Sequence, residues 1–194
     1  LASAALELPQ QEAARKLGFT TSRTMKIAQG LYEGVSIGDE GVVGLITYMR
    51  TDAVHLGAEA IQEMREVIAK DFGAKALPET PHFYRNKSKN AQEAHEAIRP
   101  TTALHRPRDI APYLNDEQRK LYELIWKRTM ATQMAEARLR SVSATIKADD
   151  ATFRASGRRI VFPGFFRAYV EGSDDPEATL EDRETILPPL KKGD

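Results

Sequence analysis

The spacing of the apolar residues changes once along this chain, and that change limits the folds the chain can adopt. Up to about residue 137 apolar residues recur every three to four positions, which is typical of helices packed on a core. From Val142 to Ala148 they alternate with polar residues, which indicates a β-strand. Residues 149–150 are predicted to form a turn, and residues 153–155 and 159–162 are predicted to be further strand segments. The sequence therefore predicts an α+β fold, mainly α, with a helical domain over residues 9–137 and a β-rich domain over 138–194.

Caps and chain-breaking residues give approximate bounds for the elements. We predict helices over residues 9–17, 23–33, 58–72, 91–98 and 116–134. Ser22 and Asn90 are predicted to cap the second and fourth helices. Asn115 and Gln118 have the spacing of a reciprocal capping box for the last helix. Residues 42–48 are mostly β-branched or aromatic, which predicts a short buried strand.

Composition excludes several classes of chemistry. The absence of cysteine excludes disulfides, thiolate metal sites and cysteine nucleophiles in this chain, and it fits a reducing compartment. The four histidines lack a metal-binding spacing such as H-E-x-x-H, and no glycine-rich phosphate loop is followed by Lys and Ser or Thr. No apolar run is long enough to cross a bilayer, so we expect no membrane partner. A chain that begins at Leu1 is expected to be a piece of a longer protein.

The formal net charge of zero conceals an uneven distribution along the sequence. Residues 82–140 contain 12 Lys or Arg against 7 Asp or Glu, whereas residues 171–190 contain 7 acidic residues and 1 basic residue. The basic middle of the chain is suited to follow a phosphate backbone. The alternative is a solvated surface whose charge is simply uneven.

The first candidate site is the sequence Gly-Leu-Ile-Thr-Tyr-Met-Arg-Thr-Asp at residues 44–52. If this segment is extended, Tyr48, Arg50 and Asp52 project from the same side. A nearby guanidinium favours the phenolate form of a tyrosine and can hold a phosphate through a bidentate pair. Tyr48 with Arg50 therefore suits attack on a phosphodiester. The alternative is a tyrosine that only packs at the end of a strand.

The second candidate site is the sequence Gln-Glu-Ala-His-Glu-Ala-Ile-Arg-Pro at residues 92–100. On a helix, His95 and Arg99 stand four positions apart and share a face. With His95 protonated, the two side chains form a cationic surface that suits a DNA phosphate. The alternative is a pair on a helix surface that Glu96 neutralises.

These two motifs, with residues 10–19, 88–101 and 121–126, strongly resemble bacterial DNA topoisomerase I, the type IA family. The resemblance covers nearly everything from residue 9 onward. It implies an internal fragment in which residues 9–137 form the strand-passage gate domain with the tyrosine and residues 138–194 form part of the β-rich arch. Residues 1–8 are then either a divergent lead-in or residues added to the natural sequence.

The resemblance also implies a role for each motif. Tyr48 corresponds to the nucleophile, which becomes linked to the 5′-phosphate of one DNA strand while another strand passes through the gap. Arg50 corresponds to the arginine that supports the tyrosine and the scissile phosphate, and His95 to a histidine that assists cleavage and religation. Relaxation of negative supercoils then needs no ATP. The residues that we expect to bind DNA are Arg99, Asp52, Thr51, Gln92 and Lys89.

In this family the magnesium-binding Toprim domain lies upstream. The resemblance therefore implies Mg²⁺ in the parent enzyme with no ligands in this chain, and an isolated fragment that is inactive. The implied partners are single-stranded or negatively supercoiled DNA, the Toprim domain and the remaining arch, in the bacterial cytoplasm and nucleoid. Ala53 stands where the family usually has Ser or Thr, whose hydroxyl is expected to cap the following helix.

Two other functions remain open from the sequence. One is a noncatalytic module that positions single-stranded DNA on the basic region between residues 82 and 140. The other is a purely structural gate-and-hinge piece whose exposed faces contact the missing domains.

Overall fold

The computed structural model describes residues 9–51, 53–84, 96–169 and 184–188. Its helices are α1 (Pro9–Leu17), α2 (Thr21–Glu33), α3 (Ala58–Phe72), α4 (Pro107–Ile110) and α5 (Asp116–Thr132). Its strands are β1 (Val35–Ser36), β2 (Val42–Val43), β3 (Arg138–Ala148) and β4 (Ala151–Phe162). The mainly helical α+β class is confirmed. The chain divides into two units, Leu1–Ala135 and Glu136–Asp194.

The first unit is built around helices α1, α2 and α5, which contact one another. Its core includes side chains almost completely removed from solvent: Leu31, Leu45, Ile46, Val67, Ile68, Leu121, Tyr122, Met130 and Met134. These residues come from the helices, from the connection between β2 and α3 and, for Met134, from the segment just after α5. The unit therefore buries enough apolar surface to hold that connection in place.

Three helices follow the predicted bounds closely. Helices α1 and α3 begin and end where the sequence predicts. Helix α5 begins at Asp116 under the predicted capping box of Asn115 and Gln118, and it ends two residues earlier than predicted, at Thr132. Helix α2 begins before residue 23 because Thr20, not Ser22, is its cap. The Thr20 hydroxyl accepts the Arg23 N–H at 3.2 Å.

The predicted strand over residues 42–48 is mostly wrong. Only Val42–Val43 form a strand, which pairs antiparallel with Val35–Ser36. The strand ends there because the Leu45 N–H donates to the Leu31 carbonyl of helix α2 at 2.8 Å instead of to a neighbouring strand. Ile46 then forms a single antiparallel bridge with a distant residue.

Two further predictions about helices, one in the second motif and one after the first, also fail where they can be compared with the structure. Asn90 and residues 91–95 lie outside the described residues, and residues 96–98 are not helical. The Ala97 N–H bonds to the His55 carbonyl at 2.8 Å, so this backbone pairs with a distant loop instead of its own preceding turn. Helix α3 begins at Ala58 with Gly57 as its cap, so a hydroxyl at position 53 would lie too early to cap it.

The second unit is dominated by one antiparallel hairpin of β3 and β4. The predicted turn at residues 149–150 joins the strands, with Asp149 at a φ of 52°. The two predicted strand segments at 153–155 and 159–162 belong to one continuous strand that runs through Gly157. Beyond the hairpin, Thr185 exchanges two backbone hydrogen bonds with Arg158, of 2.7 and 2.9 Å. Residues 184–188 therefore begin to extend the sheet at the β4 edge.

In the described part of the chain, no helix combines the length and the apolar character needed to cross a membrane.

Candidate functional site

The segment that leads to Tyr48 is fixed on one side by helix α2. Leu45 and Ile46 are buried, and Leu45 is hydrogen-bonded to the end of α2 as described above. Gly44 makes this close approach possible, since a Cβ at this position would lie 2.7 Å from the Tyr32 carbonyl oxygen. The backbone before Tyr48 is therefore packed directly against the backbone of α2.

The second motif fixes the same segment on its other side. Residues 44–47 run antiparallel to residues 99–101. The Thr47 N–H donates to the Arg99 carbonyl at 2.9 Å, and the Thr101 hydroxyl donates to the Gly44 carbonyl at 2.7 Å. The two motifs predicted from the sequence, about 50 residues apart, are thus joined by a short run of hydrogen bonds.

The side chain of Thr47 takes the place of one regular hydrogen bond in this pairing. Its hydroxyl accepts the Arg99 N–H at 3.0 Å and donates to the Ala97 carbonyl at 2.7 Å. Because the hydroxyl receives the Arg99 N–H, the Thr47 carbonyl is not needed as its acceptor, and regular pairing ends at the residue before Tyr48. Thr47 was not among the site residues predicted from the sequence. Its position immediately before the candidate tyrosine was the available signal.

Tyr48 and Arg50 both face solvent, and the residue between them does not. Tyr48 is 40% exposed and Arg50 is exposed, whereas Met49 is 3% exposed. The alternation expected of an extended segment therefore holds for these three residues, although they form no regular strand. The Tyr48 ring packs edge-on against the Tyr32 ring, with centroids 5.5 Å apart and an interplanar angle of 68°.

Arg99 lies beside the Tyr48 segment, but its side chain turns toward the protein. The guanidinium pairs with Glu96, with Nη2 and Oε2 2.6 Å apart, and the Arg99 side chain is 15% exposed. Its Nη1 donates to the Pro100 and Thr101 carbonyls at 2.9 and 3.2 Å. The predicted neutralisation of Arg99 by Glu96 is present without the predicted helix. A direct contact with DNA stays a prediction for Arg99.

The remaining candidate residues fall into two groups. Thr51 is described, and its hydroxyl accepts the Ala53 N–H at 3.0 Å, which forms a local turn. His95, Asp52, Gln92 and Lys89 lie outside the described residues. The predicted surface shared by His95 and Arg99 therefore stays a prediction.

Tyr122 provides a contrast with Tyr48 within the same unit. It is completely buried, and its hydroxyl donates to the His105 carbonyl at 2.6 Å. Burial raises the pKa of Tyr122 well above the ordinary value for a tyrosine, and the Glu63 carboxylate raises it further. Tyr122 is therefore held as a neutral phenol that no polymeric substrate can reach.

No group of three or more His, Asp or Glu able to hold a metal ion occurs among the residues that the structure describes. The predicted Mg²⁺ of the parent enzyme stays a prediction.

Comparison with known proteins identifies the family. A family model described as DNA topoisomerase matches residues 6–194, and the chain belongs to this family. The DNA topoisomerase 1 of Xylella fastidiosa (strain Temecula1) is 54% identical over 186 residues, which cover 95% of this chain and 23% of that protein. The DNA topoisomerase 1 of Synechocystis sp. is also 54% identical over 186 residues, covering 95% of this chain and 20% of that protein.

A solved structure agrees with these sequence matches. The full-length topoisomerase I of Thermotoga maritima, in a monoclinic crystal form, matches with a TM-score of 0.71 and 36% sequence identity. The match covers 87% of this chain and 27% of that one. The chain thus spans between a fifth and a quarter of the length of the curated relatives described above. The predicted resemblance to part of a bacterial DNA topoisomerase I is confirmed.

Proposed function

We propose that this chain is the part of a type IA DNA topoisomerase that carries the nucleophilic tyrosine, and that Tyr48 is the nucleophile. One observation carries the proposal. Tyr48 emerges, exposed, where residues 44–47 leave their hydrogen-bonded pairing with residues 99–101. A phenol held on a rigid base and open to solvent is suited to meet the backbone of a DNA strand.

The proposed reaction exchanges one phosphate ester for another. The Tyr48 phenolic oxygen attacks a phosphorus of the DNA backbone, and the bond from that phosphorus to the 3′-oxygen of the preceding nucleotide breaks. The phenolic proton is lost, and the departing 3′-oxygen takes up a proton. Tyr48 then carries the 5′-phosphate, and attack by the free 3′-hydroxyl reverses the step without ATP.

Arg50 is proposed as the cation that binds the scissile phosphate. Its side chain is exposed, as is that of Tyr48 two residues before it. A guanidinium can donate two parallel hydrogen bonds to phosphate oxygens and can stabilise the charge that develops on them during attack. We further propose that His95 assists cleavage and religation and that four other residues contact DNA, namely Thr51, Asp52, Lys89 and Gln92.

The remaining steps belong to the longer protein. Residues 9–137 are proposed to form its strand-passage gate and residues 138–194 part of its arch, so that a second strand passes while the first is held by Tyr48. The partner is single-stranded or negatively supercoiled DNA. The described side chains do not form a site that fits Mg²⁺, whose ligands we assign to the Toprim domain of the parent enzyme. The metal would support DNA binding and phosphoryl chemistry there.

The decisive test uses the intact parent enzyme and a single-stranded oligonucleotide labelled at its 3′ end, because the labelled fragment remains on the tyrosine. Tyr48→Phe should abolish the covalent adduct and leave the Kd for noncovalent binding within about twofold, since only the nucleophilic oxygen is removed. Tyr32→Phe is the matched control, because Tyr32 is equally exposed and its ring contacts the Tyr48 ring. A covalent adduct formed by the Tyr48→Phe variant would refute the assignment.

The isolated chain provides a second test. We expect it to relax no supercoiled DNA in the presence of Mg²⁺, because the proposed metal site lies in another part of the enzyme. Robust relaxation by the purified 194-residue chain would contradict this part of the proposal.

A further inference from the structure

We propose that Glu96 is a positioning residue that holds both ends of the Tyr48 segment in place. We propose also that Arg99 supports this arrangement instead of binding DNA. The inference rests on the proposed role of Tyr48 as nucleophile. It concerns the connection between Thr47, where the segment leaves the core, and Gly57, where helix α3 is about to begin.

The departing end of this connection is held through Arg99. The Arg99 backbone is bonded to Thr47 through both its N–H and its carbonyl. The Arg99 guanidinium is in turn held by Glu96 Oε2 at 2.6 Å. A hydrogen bond between two charged groups is about twice as strong as a neutral one. Glu96 therefore fixes the orientation of Arg99, to which Thr47 is hydrogen-bonded.

The returning end is held by the other oxygen of the same carboxylate. The Gly57 N–H donates to Glu96 Oε1 at 3.0 Å, and the neighbouring Ala97 N–H donates to the His55 carbonyl at 2.8 Å. A Cβ at position 57 would lie 2.7 Å from Glu96 Oε1. Glycine thus allows the carboxylate to reach the backbone here.

The two oxygens of Glu96 consequently connect two points of the chain that are ten residues apart, with Tyr48 and Arg50 between them. One carboxylate thus helps to hold these two points at a fixed separation, directly at Gly57 and through Arg99 at Thr47. Fixing both ends of a connection restricts the positions that its exposed side chains can take. This restriction is what an attacking phenolic oxygen requires.

The ion pair between Glu96 and Arg99 also implies different roles for Arg99 and Arg50. The charge of Arg99 is balanced by Glu96, and its Nη1 is occupied by two carbonyls. Arg50 forms no ion pair with any carboxylate in the described ranges, and it is exposed beside Tyr48. Arg50 is therefore the cation available to a phosphate, whereas Arg99 acts through the backbone that it supports.

The test compares Glu96→Ala and Glu96→Gln in the full-length enzyme. We measure the single-turnover rate of adduct formation on a 3′-labelled oligonucleotide, and the Kd separately in the Tyr48→Phe background. Glu96→Ala should lower the rate by about 10- to 100-fold, because a displacement of about 1 Å has an effect of that order. Glu96→Gln keeps an acceptor for Gly57 but loses the charge facing Arg99, so a smaller loss of about tenfold or less is expected. The Kd should change by less than about twofold in both variants.

Asp71→Asn is the matched control for general destabilisation. Asp71 forms a two-point ion pair with Arg106, at 2.6 and 3.1 Å, and both side chains are about as buried as Arg99. This variant should lower the free energy of unfolding and leave the rate of adduct formation unchanged well below the melting temperature. If Asp71→Asn slows the reaction as much as Glu96→Ala does, the effect is merely structural and the inference is overturned.

The role of Arg99 is tested in the same assay. If Arg99 acts through Glu96, Arg99→Gln should lower the rate as Glu96→Ala does, and the double variant should be no slower than the slower single variant. If Arg99 binds phosphate directly, Arg99→Gln should instead weaken Kd and reduce its dependence on salt. That result would overturn the assignment of Arg99.

A measurement on the 194-residue chain covers the case in which a full-length variant fails to fold. Glu96→Ala should raise the rate of hydrogen–deuterium exchange at the Gly57 amide and leave the buried turns of α5 protected. Unchanged exchange at Gly57, or a wild-type rate of adduct formation in Glu96→Ala, would overturn the inference. A parent enzyme that forms its adduct without Tyr48 would instead overturn the proposed function.

Discussion

The two units of the chain have equally regular apolar patterns but use them differently. In the helical unit the pattern ends in a closed core, where Ile68 is fully buried. In the hairpin unit the alternating residues remain largely open to solvent, and Ile146 is 46% exposed. A helix can complete its core against other helices of the same unit, whereas a two-stranded hairpin needs a second layer. An apolar pattern therefore indicates which face is to be covered and does not identify what covers it.

This difference matters for the site. The hydrogen bonds given above for the Tyr48 segment lie inside the helical unit, at residues 31–57 and 96–101. The backbone that supports the candidate nucleophile therefore depends on a core that this unit supplies by itself.

The largest expected effect is a difference in the free energy of unfolding between a core substitution in the helical unit and one in the hairpin unit. Ile68→Ala should lower the free energy of unfolding by about 3–4 kcal/mol, since it leaves a cavity in a closed core. Ile146→Ala should cost less than about 1 kcal/mol, because the side chain is already half exposed. Urea unfolding followed by the fluorescence of Trp126, the only tryptophan in the chain, reports on the helical unit. For Ile146 the same titration is followed by circular dichroism in the strand region. Equal losses for both variants would show that the hairpin face is covered in solution.

An intermediate effect is expected at Gly44, which can be compared with Gly157 because both glycines approach another backbone closely. A Cβ at Gly44 would lie 2.7 Å from the Tyr32 carbonyl oxygen, and one at Gly157 would lie 2.6 Å from the Thr185 carbonyl oxygen. Gly44→Ala should lower the free energy of unfolding by about 1–3 kcal/mol, because a packed helix end must shift. Gly157→Ala should leave that value nearly unchanged.

For the Gly157 variant the expected change is local. Residues 184–188 should separate from β4, and hydrogen–deuterium exchange at the Arg158 and Thr185 amides should rise. If Gly157→Ala destabilises the chain as strongly as Gly44→Ala does, the edge of the hairpin is as rigid as the helical core.

The smallest effect concerns alkaline pH and belongs to the helical unit alone. Because burial raises the pKa of Tyr122 above its unfolded value of about 10, the folded state retains this proton longer than the unfolded state does. Its contribution to stability is complete below pH 10 and is lost as pH rises further, by at most about 1.4 kcal/mol per pH unit. Tyr122→Phe should reduce this dependence between pH 9 and pH 11 in urea titrations. An unchanged slope would mean that Tyr122 ionises as freely in the folded protein as in the unfolded one.

Local signals predicted several elements well. Helix α1 ends at the predicted residue and is followed by Gly18 with a φ of 64°, and the capping box sets the first residue of α5. The same is true of the β3–β4 hairpin, whose turn and alternation lie within adjacent residues. In each case the groups that satisfy the backbone are neighbours in sequence.

The failures arise where backbone groups find distant partners. Residues 42–48 look like a strand, but the Leu45 N–H is taken by the end of α2. Residues 96–98 have a helical composition, yet Ala97 bonds to His55 and to Thr47. The exposure of Tyr48 was consistent with its motif. The inward turn of Arg99 was not predictable, because it depends on Glu96 occupying an extended segment rather than a helix.

The hydrogen bonds of Thr47 have a consequence for the interchangeability of the next residue. Position 48 is located by a threonine hydroxyl and by main-chain atoms of residues 97–99, none of which belongs to the tyrosine. These backbone hydrogen bonds therefore do not depend on which side chain stands at position 48. A different side chain at that position would be held by the same backbone hydrogen bonds. The position therefore suits the introduction of an unnatural amino acid as a probe of strand cleavage.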